Sequence, residues 1–184
     1  MASDNMKAFD YLTKEGCIAR LFVISDETYD QMVTQRLNSL DLQKKALAKT
    51  GLDEDQLKEI PPVYFHGWHI DKDSIERVGN DGKLRGSRYD ATVLYFSDTQ
   101  LFMYQYVFDL TDGSWKKEET EEFFYKDVVS FSTTTQTSKK TRKDVSAFSL
   151  KVSASTFSCS ISGSPDAEKI IAGMKQKLRE KKNT

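Results

Sequence analysis

The densest cluster of positive charge in the strand-rich part of the chain is a short basic run, Lys139-Lys-Thr-Arg-Lys143. Four cations within five residues can hold phosphates or an anionic membrane surface through charge-assisted hydrogen bonds. The run stands between two segments that alternate like strands, so it is predicted to lie on a loop of a sheet. We therefore predict a candidate anion-binding site at Lys139, Lys140, Arg142 and Lys143. A solvated loop is the alternative interpretation.

The two histidines of the chain, His66 and His69, are the next candidates, because imidazole can bind a metal or act as a base. They stand three residues apart in a strand-like segment, and side chains at that spacing point to opposite faces of a sheet. No cysteine or carboxylate cluster stands beside them at ligand spacing. We expect ordinary strand histidines and no metal site. A small hydrolase, a weaker alternative, would need both histidines in one pocket.

Nucleophilic catalysis and phosphate-loop chemistry have no signature in the sequence. A catalytic serine or cysteine needs a histidine and an orienting acid beside it, and the serines here are spread along strand faces instead of standing in a Gly-x-Ser-x-Gly turn. Gly79, Gly82 and Gly86 lack the spacing and the strand-to-helix context of a phosphate-binding loop. We predict no catalytic residue, no cofactor and no small-molecule substrate.

The composition limits the partners and the compartment. The 184 residues include 27 basic and 28 acidic ones, a formal net charge of −1, so no overall field attracts the chain to nucleic acid. The N-terminus lacks the pattern of a signal peptide, and no stretch approaches the roughly 20 apolar residues that span a bilayer. Cys17 and Cys159 stand in apolar-patterned segments far apart, which favours buried thiols; a single disulfide is the alternative. A reducing cytoplasm is the expected compartment.

The first 60 residues are predicted to form a helical extension that begins with a strand. Cys17 to Ile24 is rich in β-branched and aromatic residues, which is typical of a strand. Ser25 or Asp26 can cap a helix whose apolar residues recur at spacings of three and four as far as Leu40.

Two shorter helices and a break follow in the extension. A helix is predicted from Asp41 through Lys49, with Gly51 placed to end it in a left-handed turn. A third is predicted from Glu54 to Glu59. Pro61 and Pro62 cannot continue a helix, so they mark the junction with the rest of the chain.

Beyond the prolines the apolar residues recur with a period of two, which predicts seven strands. A polar connection from Asp71 to Gly86 is expected after the first strand, and Lys126-Asp127 is expected to form a corner after the fourth. The predicted strands are Val63–Ile70, Tyr89–Ser97, Gln100–Leu110, Glu118–Tyr125, Val128–Gln136, Phe148–Val152 and Phe157–Ile161.

Two of these strands have a distinctive composition. The third is apolar on both faces, which predicts a central strand or one covered by the helical extension; an exposed partner groove is the alternative. The fourth is rich in carboxylates, which is typical of an edge strand kept soluble by charge and is a weaker indication of catalytic acids. These carboxylates are Glu118, Glu119, Glu121 and Glu122.

One helix closes the predicted domain. Ser164 can cap it, Pro165 suits its first position, and an apolar stripe continues to about Lys181. Such a helix must lie on a sheet or across the mouth of a barrel.

Four strands, a corner, three strands and one helix is an order that resembles a pleckstrin-homology-like domain, and in detail the bacterial branch of that superfold. Phe124-Tyr-Lys-Asp-Val-Val-Ser-Phe131 is similar to the aromatic-x-Asp-aliphatic-x-Ser pattern with which those domains enter their second sheet. The Ala147–Gly163 hairpin leading into Ser164-Pro-Asp-Ala-Glu168 completes the resemblance. The match covers residues 63–181, with residues 1–60 as an extension outside the family's core.

The resemblance implies a fold and a kind of function. The fold is α+β and mainly β: a seven-stranded antiparallel, partly open barrel of two sheets, capped by the C-terminal helix. Members of the family are mainly binding modules, so the resemblance brings no catalytic residue. We expect a non-enzymatic cytoplasmic interaction module that binds an unidentified protein partner or itself. The alternative is binding of an anion or a membrane headgroup through Lys139 to Lys143.

Overall fold

A computed structural model describes residues 3–14, 16, 23–52, 61–153 and 155–182, without the side chains of residues 177, 178, 181 and 182. Within these ranges the chain is a mixed α+β protein with four α-helices and antiparallel strands. The predicted strand Cys17–Ile24 falls almost entirely outside the described residues. The predicted helix Glu54–Glu59 and the thiol of Cys17 lie outside them as well.

The described residues of the N-terminal part form three helices: α1 (Asp4–Thr13), α2 (Asp26–Ser39) and α3 (Leu42–Thr50). The predictions for α2 and α3 are confirmed, and Gly51 ends α3 with a left-handed φ of 68°. α1 is a helix that was not predicted from the sequence. Its apolar face is short, with only Ala8, Tyr11 and Leu12 buried, and packing against the rest of the molecule stabilises it.

Within residues 61–153 and 155–182, nine strands form three sheets, all paired antiparallel. A four-stranded sheet has the order β1-β4-β5-β6, a three-stranded sheet has the order β7-β8-β9, and β2 and β3 form a separate hairpin. Their bounds are β1 Val63–Trp68, β2 Glu76–Val78, β3 Leu84–Gly86, β4 Arg88–Phe96, β5 Gln100–Asp109, β6 Lys116–Phe124, β7 Val128–Thr137, β8 Asp144–Val152 and β9 Thr156–Ser160.

The number of strands corrects the sequence analysis. The stretch from Asp71 to Gly86 was expected to be a polar connection, yet it contains the β2–β3 hairpin. These strands have three residues each, too few to show an alternating pattern in the sequence. The corner at Lys126-Asp127 is present as a single 3₁₀ turn, Tyr125–Asp127, between β6 and β7.

The apolar faces of β5 belong to two different hydrophobic cores, which confirms it as a buried central strand. Phe102, Tyr104, Tyr106 and Phe108 pack with the buried residues of α1, α2 and α3. Leu101 and Met103 pack in the second core, between the four-stranded sheet, the three-stranded sheet and the C-terminal helix. The N-terminal helices therefore cover the face of the four-stranded sheet that the second core does not.

The C-terminal helix α4 runs from Ala167 to Lys182 and buries Ala167, Ile171 and Met174 in the second core. It begins two residues later than predicted, because Ser164 and Pro165 belong to the preceding turn. There the Ser164 hydroxyl accepts a hydrogen bond from the backbone N–H of His66 at 2.9 Å. This contact ties the start of α4 to β1.

The two larger sheets meet at one edge without forming a closed barrel. β9 crosses β1 at Gly67, where a side chain would collide with the hydroxyls of Ser160 and Ser162. No ladder of backbone hydrogen bonds among the described strands joins the two sheets there. Side chains bridge the edge instead, and one of the bridging groups, Asp90, lies next to a large groove.

Candidate functional site

The groove lies beside the three-stranded sheet and has a volume of about 530 Å³. One wall is the segment Trp68–Lys72, which begins at the last residue of β1; the other is the side of β7, β8 and β9 that carries Thr134, Ala147 and Ser160. Its rim is exposed and carries three lysines, whereas its deepest residues are buried. A groove of this size can hold a small organic molecule.

Two of the four predicted anion-binding residues lie on this groove. Lys139 and Lys140 line its rim together with Lys72. The Nζ of Lys140 donates a hydrogen bond to the backbone carbonyl of Ser74 at 2.9 Å, which holds this side chain across the opening.

The other two members of the basic run are directed elsewhere. Lys143 lines a smaller cavity of about 320 Å³ with Lys83 and Leu84. Arg142 is exposed and has a left-handed φ of 58° in the turn between β7 and β8. The four cations are therefore not brought together into one clamp.

The buried end of the groove contains a carboxyl group, that of Asp90, whose residue is only 1% exposed. Asp90 accepts hydrogen bonds from the Gln105 amide at 2.8 Å, from the Ser160 backbone N–H at 3.0 Å and from the Thr92 hydroxyl at 3.1 Å. All three donors are neutral. Burial raises the pKa of Asp90 to about 7, although these hydrogen bonds act in the opposite direction.

The same contacts explain how the two sheets are joined. Ser160 lies on the free edge of β9, and its N–H points away from β8 toward Asp90. The amide of Gln105 also donates to the backbone carbonyl of Ser158 at 3.2 Å. Asp90 and Gln105 thus satisfy backbone groups that an unpaired strand edge would leave buried.

The two acidic side chains at the rim are already engaged. Asp71 accepts a hydrogen bond from Arg88 at 2.6 Å, and Glu76 accepts one from the Ser138 hydroxyl at 2.5 Å. Lys72 and Lys139 are exposed. Asp71 is thus paired with a cation, whereas Glu76 accepts from a neutral hydroxyl and keeps its charge. Three lysines against these two carboxylates give the rim a net positive charge, while the buried end has a single acid.

The two histidines occupy different cavities. The Nδ1 of His66 lies 2.7 Å from the Tyr89 hydroxyl, next to a cavity formed with α2, whereas His69 lines the large groove with its Nε2 3.5 Å from Asp71. Burial lowers the pKa of both imidazoles. Neither imidazole is hydrogen-bonded to a serine or cysteine within the part of the chain that the structure describes.

Cys159 is buried, as predicted, and forms no disulfide with another described residue. Burial raises the pKa of its thiol well above the usual value, so little thiolate exists near neutral pH. Across the described ranges no group of three or more His, Cys, Asp or Glu side chains is arranged to hold a metal ion.

A second candidate surface is the edge of β7 from Ser130 to Thr137, which pairs with no further strand among the described residues. This strand has ten residues, none of them charged, and most of its side chains are exposed. β6, the neighbouring edge of the other large sheet, has six charged residues among nine, which confirms the carboxylate-rich segment as an edge strand. Charge normally protects an exposed edge from pairing with another chain, and β7 has no such protection.

The register shows which backbone groups of β7 face outward. The N–H of Ser138 donates to the carbonyl of Lys143 at 2.8 Å, which directs Ser138 toward the β8 side of the hairpin. Because the backbone direction alternates along an antiparallel strand, Thr133, Thr135 and Thr137 direct their N–H and carbonyl groups away from β8.

Exposed apolar side chains mark the start of this edge. Phe124 is 47% exposed and Val129 is 57% exposed, and they flank the 3₁₀ turn between β6 and β7. Val129 stands at an irregularity in the register, between the paired residues Val128 and Ser130. From Ser130 onward β7 pairs regularly with β8, so a long straight edge follows the apolar corner.

Sequence reasoning identified Lys139 and Lys140 but missed Asp90 and the β7 edge. Asp90 appears in the sequence as one polar residue in an alternating strand, with no signal of burial. The absence of charge over residues 128–137, next to the charged segment 116–122, is a signal that could have indicated the exposed edge.

Comparisons with known proteins supply no relative for this chain. No family model matches it, and neither the curated proteins nor the solved structures contain a significant match. Among the helices of the described residues, none combines the length and apolar character needed to cross a bilayer.

Proposed function

We propose that this chain is a non-enzymatic interaction module of the pleckstrin-homology-like superfold that binds an extended segment of a protein partner along β7. The order of a four-stranded sheet, a corner, a three-stranded sheet and one helix supports the superfold. A cytoplasmic location belongs to the same proposal and is supported by the buried, free thiol of Cys159.

The free edge of β7 is the single observation that carries the proposal. An incoming strand pairs with outward N–H and carbonyl groups, and alternate residues of β7 present these groups from Thr133 to Thr137. The exposed side chains of Phe124 and Val129 at the corner provide apolar contact for one end of the incoming strand. A second copy of this chain, added through its own β7, would be the self-associating form of the same interaction.

A single backbone substitution tests this proposal. Thr135→Pro removes an outward N–H without removing a backbone hydrogen bond to β8, and Thr135→Ala is the matched control that keeps the N–H. Both variants lose the exposed contact between the Thr135 and Ser146 hydroxyls, so this loss cancels in the comparison. Peptides selected from a random library against the wild-type chain are expected to bind Thr135→Ala normally and Thr135→Pro at least about tenfold more weakly. Equal binding to both variants would show that the ligand does not add to this edge.

Association of the chain with itself is measured in the same three proteins. If the wild type forms a dimer, sedimentation equilibrium is expected to show the same dimer for Thr135→Ala and a monomer for Thr135→Pro. A dimer that persists in Thr135→Pro would place self-association on another surface. Circular dichroism establishes that all three proteins are folded.

The second candidate function is anion binding by the basic run. The position of Lys139 and Lys140 on the rim of the groove favours it. Replacing Lys139, Lys140, Arg142 and Lys143 by alanine is expected to abolish salt-sensitive co-sedimentation with vesicles that contain anionic lipid. Binding that is unchanged in this variant and insensitive to salt would eliminate the idea.

A further inference from the structure

The groove combines an acidic buried end with a basic rim, and this combination points to a ligand of a particular charge pattern. Asp90 is the acid at the buried end, and Lys72, Lys139 and Lys140 are the cations at the rim. The inference concerns a small molecule in the groove. It is independent of strand addition at β7 and shares two lysines with the second candidate function.

Asp90 lacks a charged partner. None of the ion pairs between described residues includes it, and the three groups that donate to it are neutral. Lys117, whose positive charge favours the ionised form, is itself paired with Glu119 at 2.9 Å. Buried carboxylates are normally paired with a cation.

The carboxyl group also has an unused acceptor position. A carboxylate offers about four acceptor positions, and the protein occupies three of those of Asp90. Because Asp90 lines the groove, a ligand in the groove can supply both the fourth hydrogen bond and the missing positive charge. An ammonium group has this chemistry.

The positively charged rim favours a negatively charged group on the same ligand. Three lysines stand at the opening against the carboxylates of Asp71 and Glu76, and Asp71 is paired with Arg88, so the opening has a net positive charge. A purely cationic ligand would be repelled at the rim, and a purely anionic one would leave Asp90 unpaired.

The register indicates how far the base of the basic loop lies from the buried end of the groove along β8. Ser160, which donates to Asp90, pairs with Ala147; Asp144, at the base of the basic loop, lies three residues further along β8. Three residues of a strand span about 10 Å. A ligand that bridges the two ends therefore has its charges separated by several single bonds.

We propose that the groove binds a small zwitterion with its ammonium group at Asp90 and its anionic group at the rim lysines Lys72, Lys139 and Lys140. The class comprises ω-amino acids and short amino-terminated carboxylates or phosphates of similar length.

Isothermal titration calorimetry with 6-aminohexanoate and 8-aminooctanoate tests the inference, with hexylamine and hexanoate as matched probes that carry one charge each. The zwitterions are expected to bind at least about tenfold more tightly than either single-charge probe. Hexanoate or inorganic phosphate that binds as tightly as the zwitterions would support simple anion binding and overturn the inference. The absence of zwitterion binding at millimolar concentration would overturn it as well.

Two variants assign the ends of the ligand. Asp90→Asn removes the charge but keeps an acceptor, and Lys139→Ala with Lys140→Ala removes rim charges; each is expected to weaken zwitterion binding roughly thirtyfold or more. Arg142→Ala, a cation of the same loop outside the groove, is expected to bind normally. Unchanged affinity in Asp90→Asn would contradict the proposed position of the ammonium group.

A third variant keeps the test decisive if Asp90→Asn does not fold. Gln136→Trp fills the groove from an exposed position and leaves the Asp90 hydrogen bonds intact. It is expected to abolish zwitterion binding, and normal binding in this variant would place the ligand elsewhere.

Discussion

Two buried charged side chains, Arg85 and Asp90, lie in different parts of this molecule and are accommodated in opposite ways. Arg85, 2% exposed, makes four hydrogen bonds to the carboxylates of Asp30 and Asp81, between 2.7 and 2.9 Å long. Asp90, 1% exposed, has three neutral donors and no ion pair among the described residues.

The difference separates a structural charge from a functional candidate. Arg85 joins α2 to the β2–β3 hairpin with its charge fully matched, so nothing further is needed to explain its burial. Asp90 joins β9 to the four-stranded sheet, yet its charge is unmatched and it borders a groove. Burial of an ionisable group without a partner is costly, and such groups are concentrated at functional sites.

The largest expected effect is a change in how stability depends on pH when Asp90 is replaced. Burial raises the pKa of folded Asp90 to about 7 from an ordinary value near 3.8, so the folded state keeps a proton that the unfolded state loses. Wild-type stability should therefore fall as the pH rises from about 4 to about 7. Asp90→Asn should remove this loss and stabilise the folded state above pH 7 by up to about 4 kcal/mol.

Urea unfolding at about pH 5 and about pH 8 measures this effect as a difference between the two proteins. The two proteins are compared with each other because the lowered pKa values of His66 and His69 make the stability of both rise with pH. This contribution cancels when the free energy of unfolding of one protein is subtracted from that of the other. Asp73→Asn, at an exposed carboxylate, is the control. A free energy difference between wild type and Asp90→Asn that stays constant over this range would contradict an elevated pKa.

The second largest effect is the loss of stability expected when Arg85, the buried cation paired with two carboxylates, is replaced. Arg85→Leu removes four charge-assisted hydrogen bonds and leaves Asp30 and Asp81 facing each other without a cation, so we expect destabilisation of about 3 kcal/mol. Arg85→Lys keeps the charge but cannot make the paired contacts of a guanidinium to two carboxylates. Its stability should therefore lie between that of the wild type and that of Arg85→Leu. Thermal unfolding monitored by circular dichroism measures the stability of both variants. An Arg85→Leu protein as stable as the wild type would contradict the structural role of Arg85 and so remove its contrast with Asp90.

The smallest effect tests a hydrogen bond at the border of the Arg85 cluster. The Tyr11 hydroxyl donates to Asp26 at 2.7 Å, and Asp26 also accepts from the backbone N–H of Asn80 at 2.7 Å. Tyr11→Phe should cost about 1 kcal/mol, because Asp26 keeps its backbone donors. Chemical denaturation at neutral pH checks the value, and a loss above that of Arg85→Leu would mean that Tyr11, not Arg85, holds this side together.

Local pattern was sufficient for most of the elements and for part of the candidate site. The period of two located the seven longer strands, and the caps and apolar spacing located α2, α3 and α4. The composition of β5 predicted its two buried faces. Lys139 and Lys140 were found because like charges cluster in the sequence, whereas the β2–β3 hairpin and α1 were missed because each offers too few patterned residues.

The sequence by itself therefore determined the seven longer strands and the helices α2, α3 and α4, which edge is protected by charge, and where the basic loop lies. These properties depend on residues close together along the chain. Tertiary structure alone decided that Arg85 meets Asp30 across 55 residues and that Asp90 meets Ser160 across 70 residues. The physical reason is that burial of a charge is set by the elements that pack over it, so a matched charge and an unmatched one look alike until distant strands and helices come together.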